Sequence, residues 1–409
     1  METYLVGGAV RDKLLGMEPR EMDWVVVGGT PAEMLEKGFK QVGAAFPVFL
    51  HPENGEEYAL ARTESKRGTG YHGFAVSFDP DVTLEQDLRR RDLTINAMAV
   101  DSDGTLIDPF DGSGDIEHRV LRHVSPAFSE DPLRVLRVAR FAARFADLGF
   151  SVAPETLKLM QALSASGELA ALVPERVWQE LEKALGDSHP GCFIESLKES
   201  GALAKLWPEI DCLFGVPQTA YYHPEIDAGV HLLMTLDMAW AMAADVEVVF
   251  ACLLHDLGKC VTPEEILPGH RGHELTGLPL VDDFCERVRA PMRFRKLARV
   301  VCEYHLRCHR VLEMKTATVL KLIEAVDGLR NQQQFEWFLR ACEADFRGRG
   351  GQSDAAYPQA EYLRQLLKIV LSVPASDLAE RGLSGQQIAE QLRRRRIETM
   401  HQHTVKVRQ

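Results

Sequence analysis

Two carboxylates two residues apart, Glu21 and Asp23, stand shortly after a glycine pair, Gly7-Gly8, and an arginine, Arg11. In a strand, side chains at i and i+2 share a face roughly 6.5 Å apart, so these acids can jointly hold divalent cations. Mg²⁺ takes one or two carboxylates and completes its shell with phosphate oxygens. A glycine pair at a helix start lets backbone amides approach an anion, with Arg11 one turn further on. A phosphate cradle beside a metal pair suits in-line phosphoryl or nucleotidyl transfer. Taken singly, GGAVRD is an ordinary strand-to-helix turn and EMD a strand edge; together they are far more specific.

A second cluster sits in LLHDLGK, where an aliphatic run ends in His255-Asp256. Burying that doublet is costly unless it is paired or binds metal. His231 lies upstream, and His273, His305 and Asp345 lie downstream. Imidazole with carboxylate suits a transition metal better than Mg²⁺ alone. Lys259, His273 and His305 are candidate phosphate contacts. A set of satisfied core histidines is the plainer reading.

A third candidate is EDPLRVLR. Cytosine and adenine each present an exocyclic amine beside a ring-nitrogen acceptor, and uracil and guanine present the reverse. A carboxylate beside a guanidinium complements the first pair and leaves unmet groups against the second. Asp131 and Arg134, three apart, offer that combination on one helix face. Asp131 can equally be a helix cap with Pro132 at the first helical position. Arg134, Arg137, Arg140 and Arg144 form a stripe about 120° wide.

The elements that must position these residues follow from periodicity. The first 125 residues alternate strand-like runs (TYLVGG, DWVVVGG, PVFLH, EYALARTE, AMAVDSDGTLIDPF) with helix-like ones starting in GGAVRDKLLG and TPAEMLEKG. From Pro126 helical periodicity takes over, with Gly and Pro stops. The resulting fold class is α+β, a small α/β head ahead of all-α segments. The expected domains are 1–125 (catalytic head), 126–225 (neck and body), 226–350 (second site) and 351–409 (basic helical tail), with a loop-like boundary near 225. ARTESKRGTGYHGF is glycine-rich and basic, suited to a mobile loop over the first site.

At 409 residues the chain is too long for one core. It is 45% hydrophobic and 26% charged, with net charge −13, which argues against wholesale coating of nucleic acid and leaves local basic runs as phosphate contacts. No run approaches membrane-spanning length and no basic segment precedes an apolar one at the start, so a cytoplasmic address is expected. The eight cysteines, none in a CxxC pattern, are expected to be reduced thiols.

LVGGAVRDKLLG, EMDWVVVGG, RRDLTINAMAV, DPFDG and EDPLRVLRVARFAARF together resemble the successive motifs of class II tRNA nucleotidyltransferases, the CCA-adding enzymes of the polymerase-β superfamily. The likeness continues into LLHDLGK, as in bacterial members fused to an HD phosphohydrolase domain, and so spans nearly the whole chain. It departs at one point: the family usually has Asp-x-Asp where this chain has Glu21-Met22-Asp23. The resemblance implies a polymerase-β-like head, a helical neck and body, and an all-α HD domain with a helical tail. It implies CTP and ATP as substrates, the 3′ end and acceptor arm of tRNA as partner, and a monomer or homodimer. Glu21 and Asp23 would hold Mg²⁺. Gly8, Arg11, Arg91, Asp92, Asn96, Arg137 and Arg140 would bind the nucleotide, with Asn96 at a ribose hydroxyl, and Asp131 with Arg134 would read its base. His231, His255, Asp256 and Asp345 would hold a divalent transition metal such as Ni²⁺. Phosphatase, 2′-nucleotidase and 2′,3′-cyclic phosphodiesterase activities are implied there. Three alternatives stay open: a related enzyme adding A tails or part of CCA, an HD hydrolase with a vestigial head, and a non-catalytic RNA-binding protein.

Overall fold

The computed structural model describes residues 1–42, 48–66, 74–379 and 384–407. The chain forms two compact units, Met1–Ser188 with Cys192–Leu206, and His189–Gly191 with Trp207–Gln409.

The first unit opens with β1 (Glu2–Val6), α1 (Gly8–Leu14), β2 (Asp23–Val27), α2 (Pro31–Glu36), β3 (Lys40–Val42), β4 (Val48–Leu50) and β5 (Glu57–Leu60). A hairpin of β6 (Thr63–Lys66) and β7 (Phe74–Ser77) follows, then α3 (Leu84–Arg89), β8 (Ala99–Val100), β9 (Leu106–Ile107) and α4 (Gly112–His118). The main sheet runs β3-β4-β5-β2-β1-β8-β9, with β2 parallel to β5 and its other pairs antiparallel. Alternation explains the apolar text of its centre. Val6 and Val25 enter one cluster with Leu88 and Ala99, while Val26 joins Met34, Phe49 and Leu60 in another. A strand covered on both faces reads as a continuous hydrophobic run. Phe49 is fully buried, and replacing it by alanine should cost about 3–5 kcal/mol. Reciprocal capping boxes, Thr30 with Glu33 and Thr83 with Gln86, start α2 and α3.

Beyond the sheet come β10 (Val120–Leu121), α5 (Arg134–Arg144), β11 (Ser151–Val152), α6 (Pro154–Ser166) and α7 (Pro174–Gly186), with β10 parallel to β11. Next are α8 (Pro190–Glu199) and α9 (Ala202–Leu206). The α+β expectation holds. The elements it missed, β3, β7, β10, β11, α3 and α4, span two to seven residues, too few to display a period.

The second unit is helical: α10 (Pro208–Asp211), α11 (Ala228–Ala241), α12 (Val246–Leu254), α13 (His273–Arg287), α14 (Met292–His309), α15 (Thr316–Ala325), α16 (Gln332–Arg347), α17 (Pro358–Ser372), α18 (Ser376–Ala379) and α19 (Gly385–Val407). Every described residue of α12 from Glu247 to Leu254 is buried, so the helix delivers whatever follows it into the interior. Its neighbours α11, α14 and α16 bury apolar stripes, and each stripe carries one ionisable imidazole or carboxylate: His231 (beside Thr235), His305 and Asp345. No helix among the described residues is long and apolar enough to cross a membrane.

The expectation of eight free thiols is corrected. Cys212, at the end of α10, is disulfide-bonded to Cys260 in the short 3₁₀ turn Leu257–Val261, with Cα atoms 5.7 Å apart. That separation falls within the range a disulfide spans. The partners are 48 residues apart, so only the packing of α10 on that turn brings them together.

Candidate nucleotide and metal sites

In the first unit, β1 ends at Val6 and Gly7 turns the chain into α1 at φ +67°. A β-carbon at Gly7 would come within 2.8 Å of Arg91 Nη1, whereas at Gly8 the space is open apart from the tip of Arg11. Only glycine fits the first position, and the second leaves room for a ligand to approach the backbone.

Val6 pairs with Asp23 on the last rung between β1 and β2. Because Gly7 leads the chain away, β2 has no partner beyond that rung. Glu21 is therefore not on the strand, as expected from the i, i+2 reading, but exposed in the turn just before it. Glu21 still acts on Asp23. Burial raises the Asp23 carboxyl above its usual range, Glu21 and Glu57 add to the rise, and Arg91 opposes it. A half-buried acid with excess negative charge around it fits a hard divalent cation with oxygen ligands.

All eleven residues expected at the nucleotide and Mg²⁺ sites line a single cavity of about 800 Å³: Gly8, Arg11, Glu21, Asp23, Arg91, Asp92, Asn96, Asp131, Arg134, Arg137 and Arg140. Eleven cationic and six acidic side chains face it. A chain of net charge −13 thus concentrates positive charge where a triphosphate would lie.

The arginines are preset by internal ion pairs. Buried Arg11 donates to Asp12 at 2.8 Å and to Asn96 Oδ1, and Arg144 reaches Asp12 from the other side at 2.9 Å. Asn96 Nδ2 donates to Asp92 Oδ1 at 3.0 Å. Each end of that amide makes a bond inside the protein, so Asn96 braces Arg11 and Asp92 while it lines the cavity. Arg137 Nε donates to Asp92 at 2.7 Å, and Arg140 Nε to Glu180 at 2.7 Å. Glu180 also lies 3.5 Å from Arg137, and Asp187 lies 3.7 Å from Arg140. Burial works against the charge on Asp92, but Arg137, Asn96 and Arg134 overcome it and hold the carboxyl well below its usual range.

The proposed base-reading pair is arranged otherwise than the spacing implies. Helix α5 begins at Arg134, so Asp131 precedes it and accepts from Leu133 N at 3.1 Å. Its carboxylate pairs with Arg176 of α7 at 2.8 Å. Arg134 instead donates to the carbonyls of Ala127, at 2.6 Å, and Arg90. Both still line the cavity. The glycine-rich loop expected over the site includes residues 67–73, which lie outside the described residues.

In the second unit the His-Asp doublet at the end of α12 meets three other elements. His231 Nε2 is 3.0 Å from Asp345 Oδ1, and His255 Nε2 is 3.1 Å from Asp256 Oδ2. On the other side of Asp256, Oδ1 lies 3.1 Å from His273 Nε2 and 3.7 Å from His305 Nε2. His273 and His305, expected as phosphate contacts, thus offer nitrogen to the same carboxylate. Lys259, expected in the same role, bonds Asp256 Oδ2 at 2.5 Å and the Gln218 side chain. Two triads result, His231/His255/Asp345 and Asp256/His273/His305, each with donor atoms within 4.8 Å of one another.

These residues fit metal ions. His255 Nε2 and Asp256 Oδ1 are buried without a hydrogen-bond partner among the described residues, a cost that a cation removes. The Nδ1 atoms of His255, His273 and His305 donate to the carbonyls of Cys252 (2.7 Å), His270 (2.7 Å) and Val301 (3.0 Å). His231 Nδ1 is 2.8 Å from Glu225. Each of the three carbonyl bonds fixes the tautomer that leaves Nε2 free to ligate. His309, 2.6 Å from Asp345 Oδ2, orients that carboxylate in turn.

Two curated relatives, both called "Multifunctional CCA protein", match along almost their whole length. The one from Thioalkalivibrio sulfidiphilus is 59% identical over 98% of this chain and 98% of its own; the one from Hahella chejuensis is 57% identical over 97% and 94%. This chain belongs to that family. Its segments match a poly A polymerase head domain (residues 3–122), a probable RNA and SrmB-binding site of polymerase A (149–213) and an HD domain (229–332). The family's fold is also that of solved CCA-adding enzymes. One from Bacillus stearothermophilus in complex with CTP is 26% identical over 98% of this chain and 89% of its own, with TM-score 0.63. One from Thermotoga maritima in complex with tRNA_CCA shares the fold at 20% identity, over 99% and 91%, with TM-score 0.61. The resemblance read from the motifs is borne out.

Glu180, Arg176, Asp12 and Asp187 in the first unit, and Glu225, His309 and Arg349 beside the HD doublet, escaped the sequence reading. Asp345 and Arg349 approach to 3.5 Å. Of these His309 carried a local signal, standing four residues after His305 on α14.

Proposed function

We propose that this chain builds and repairs the 3′-terminal CCA of tRNA from CTP and ATP, without a template, in the cavity of its first unit. The carrying observation is that eleven residues from four separate stretches of sequence line one cationic cavity. The tRNA 3′-hydroxyl attacks the α-phosphate of the bound nucleotide and pyrophosphate leaves. Glu21 and Asp23 would hold Mg²⁺, which when bound neutralises the charge building on the phosphoryl oxygens. Gly8 leaves room for the triphosphate, and Arg11, Arg91, Arg137 and Arg140 carry its charge, already oriented by Asp12, Asp87, Asp92 and Glu180. Prepaid orientation of this kind spares reorganisation in the transition state. Asp131 and Arg134 read the base, with Arg176 steadying the carboxylate. The head is assigned to residues 1–125 and the neck and body, holding the acceptor arm, to 126–225. The name of the relatives and the CTP complex of a solved neighbour support this reading.

In the HD domain, assigned to residues 226–350 within the second unit, His231, His255 and Asp345 on one side and His273 and His305 on the other would hold two divalent transition ions such as Ni²⁺, with Asp256 between them. Such a pair supplies Lewis acidity toward a phosphate ester, so we assign phosphatase, 2′-nucleotidase and 2′,3′-cyclic phosphodiesterase activity here.

The deciding experiment offers tRNA lacking its CCA end with Mg²⁺ and each nucleotide singly. C is incorporated from CTP, A enters only after two Cs, and GTP and UTP give nothing. Continuous A addition without prior C rejects this reading in favour of a tailing polymerase.

A further inference from the structure

His231 stands between two carboxylates. Its ring is fully buried on α11, with Nε2 3.0 Å from Asp345 Oδ1 and Nδ1 2.8 Å from Glu225 Oε1. A neutral imidazole carries one N–H, so it serves only one of those oxygens and turns a lone pair toward the other. Nδ1 is the unserved end: close as Glu225 is, that nitrogen is buried with no hydrogen-bond partner among the described residues. An oxygen this near that makes no hydrogen bond lies off the N–H direction. Neighbouring ligands of one metal ion are placed in that way. Bonds of about 2.1 Å at near right angles set two donor atoms about 3 Å apart, with the ion rather than the oxygen in front of the ring nitrogen.

A third donor completes the group. His223 Nδ1 is 3.0 Å from the same Oε1 of Glu225, and its ring stands edge to face with His231 at 4.5 Å between centroids. The donor atoms of His223, Glu225 and His231 all lie within 4.8 Å of one another. The carboxylate is held from behind, because the Gly350 amide, just past α16, donates to Oε2 at 3.1 Å and leaves Oε1 to the two rings. His223 and Glu225 precede the residues that match an HD domain, 229–332, and belong to neither of the two triads described above.

We propose that His223 Nδ1, Glu225 Oε1 and His231 Nδ1 form a separate site for a divalent transition ion, joined to the first triad through the His231 ring. Two imidazoles and one carboxylate suit such an ion better than Mg²⁺. When the first triad is also loaded, His231 bridges two ions through its two nitrogens, and its ring proton leaves to solvent. The ion clasps the stretch ahead of α11 to α11 itself and, through Glu225 and Gly350, to the end of α16.

The test counts ions and needs no substrate, so its outcome is independent of the phosphohydrolase reading. Nickel bound to the full chain is measured by elemental analysis at saturating free Ni²⁺. The parent should hold one ion per chain more than His223→Phe, which keeps a ring against His231 and removes the ligand nitrogen; Glu225→Gln should lose the same ion. In nickel-soaked crystals of the parent, anomalous scattering should place a peak about 2.0–2.2 Å from His223 Nδ1, Glu225 Oε1 and His231 Nδ1. Equal counts in parent and His223→Phe overturn the site, and so does the absence of a peak among those three atoms. A loss of more than one ion from His223→Phe is damage beyond this site, and the crystal measurement, made on the parent alone, then decides.

Discussion

Glu180→Gln isolates the claim that the nucleotide-facing arginines are oriented in advance. Glu180, 5% exposed on α7, accepts from Arg140 Nε at 2.7 Å and stands 3.5 Å from Arg137. Glutamine keeps an acceptor in place and removes only the charge, whereas alanine would strand a buried guanidinium at about 3–5 kcal/mol. A hydrogen bond to a charged partner contributes about 1.5–3 kcal/mol against about 0.5–1.5 for a neutral one, so the loss is about 1–2 kcal/mol. In a unit of this size that lowers the thermal midpoint by about 2–8 °C. If the same energy orients Arg137 and Arg140 toward the triphosphate, KM for CTP rises about 5- to 30-fold. The assay is steady-state CMP incorporation into tRNA lacking its CCA, alongside a thermal scan. A lowered midpoint with KM unchanged within twofold would show that Glu180 merely holds the helices together, and would refute the argument.

Other expectations follow from the same geometry. Asp92 is held below its usual range in the fold, so its contribution is complete above about pH 4 and is lost as pH falls toward the depressed value; urea midpoints of Asp92→Asn should therefore decline less than the parent's below about pH 4, and parallel decline would contradict this. Burial pushes the Cys285 and Cys302 thiols up to about 12, and Cys252, Cys308 and Cys342 are buried as well, so a thiol reagent should label Cys192 alone in the native protein and six thiols after unfolding without reductant. Eight would disprove the Cys212–Cys260 bond. Chelation should lower the unfolding temperature of the second unit and leave the first unit's where it was, because the unmet buried imidazole and carboxylate atoms, His255 Nε2 and Asp256 Oδ1, lie in the second; equal shifts in both would count against a metal centre there.

What the sequence disclosed was local. The glycine turn, the apolar strand beside Asp23 and the His255-Asp256 doublet each lie within a few residues, and short-range sterics fix them. What stayed hidden joins distant parts of the chain: Asp131 to Arg176 over 45 residues, Arg140 to Glu180 over 40, His231 to Asp345 over 114. A glutamate or arginine on a helix reads as a solvated face until another helix covers it. Glu21 was misplaced onto a strand for a related reason, since where β2 begins depends on where its neighbour β1 stops. The two-residue strands β10 and β11 exist only as each other's partners.

Asp256 is a hinge of dependence for the second unit. One oxygen faces the lysine and the first histidine set, the other faces His273 and His305. Removing this one carboxylate would take a ligand atom from the His273/His305 triad and, at the same time, the acceptor that holds Lys259 and faces His255.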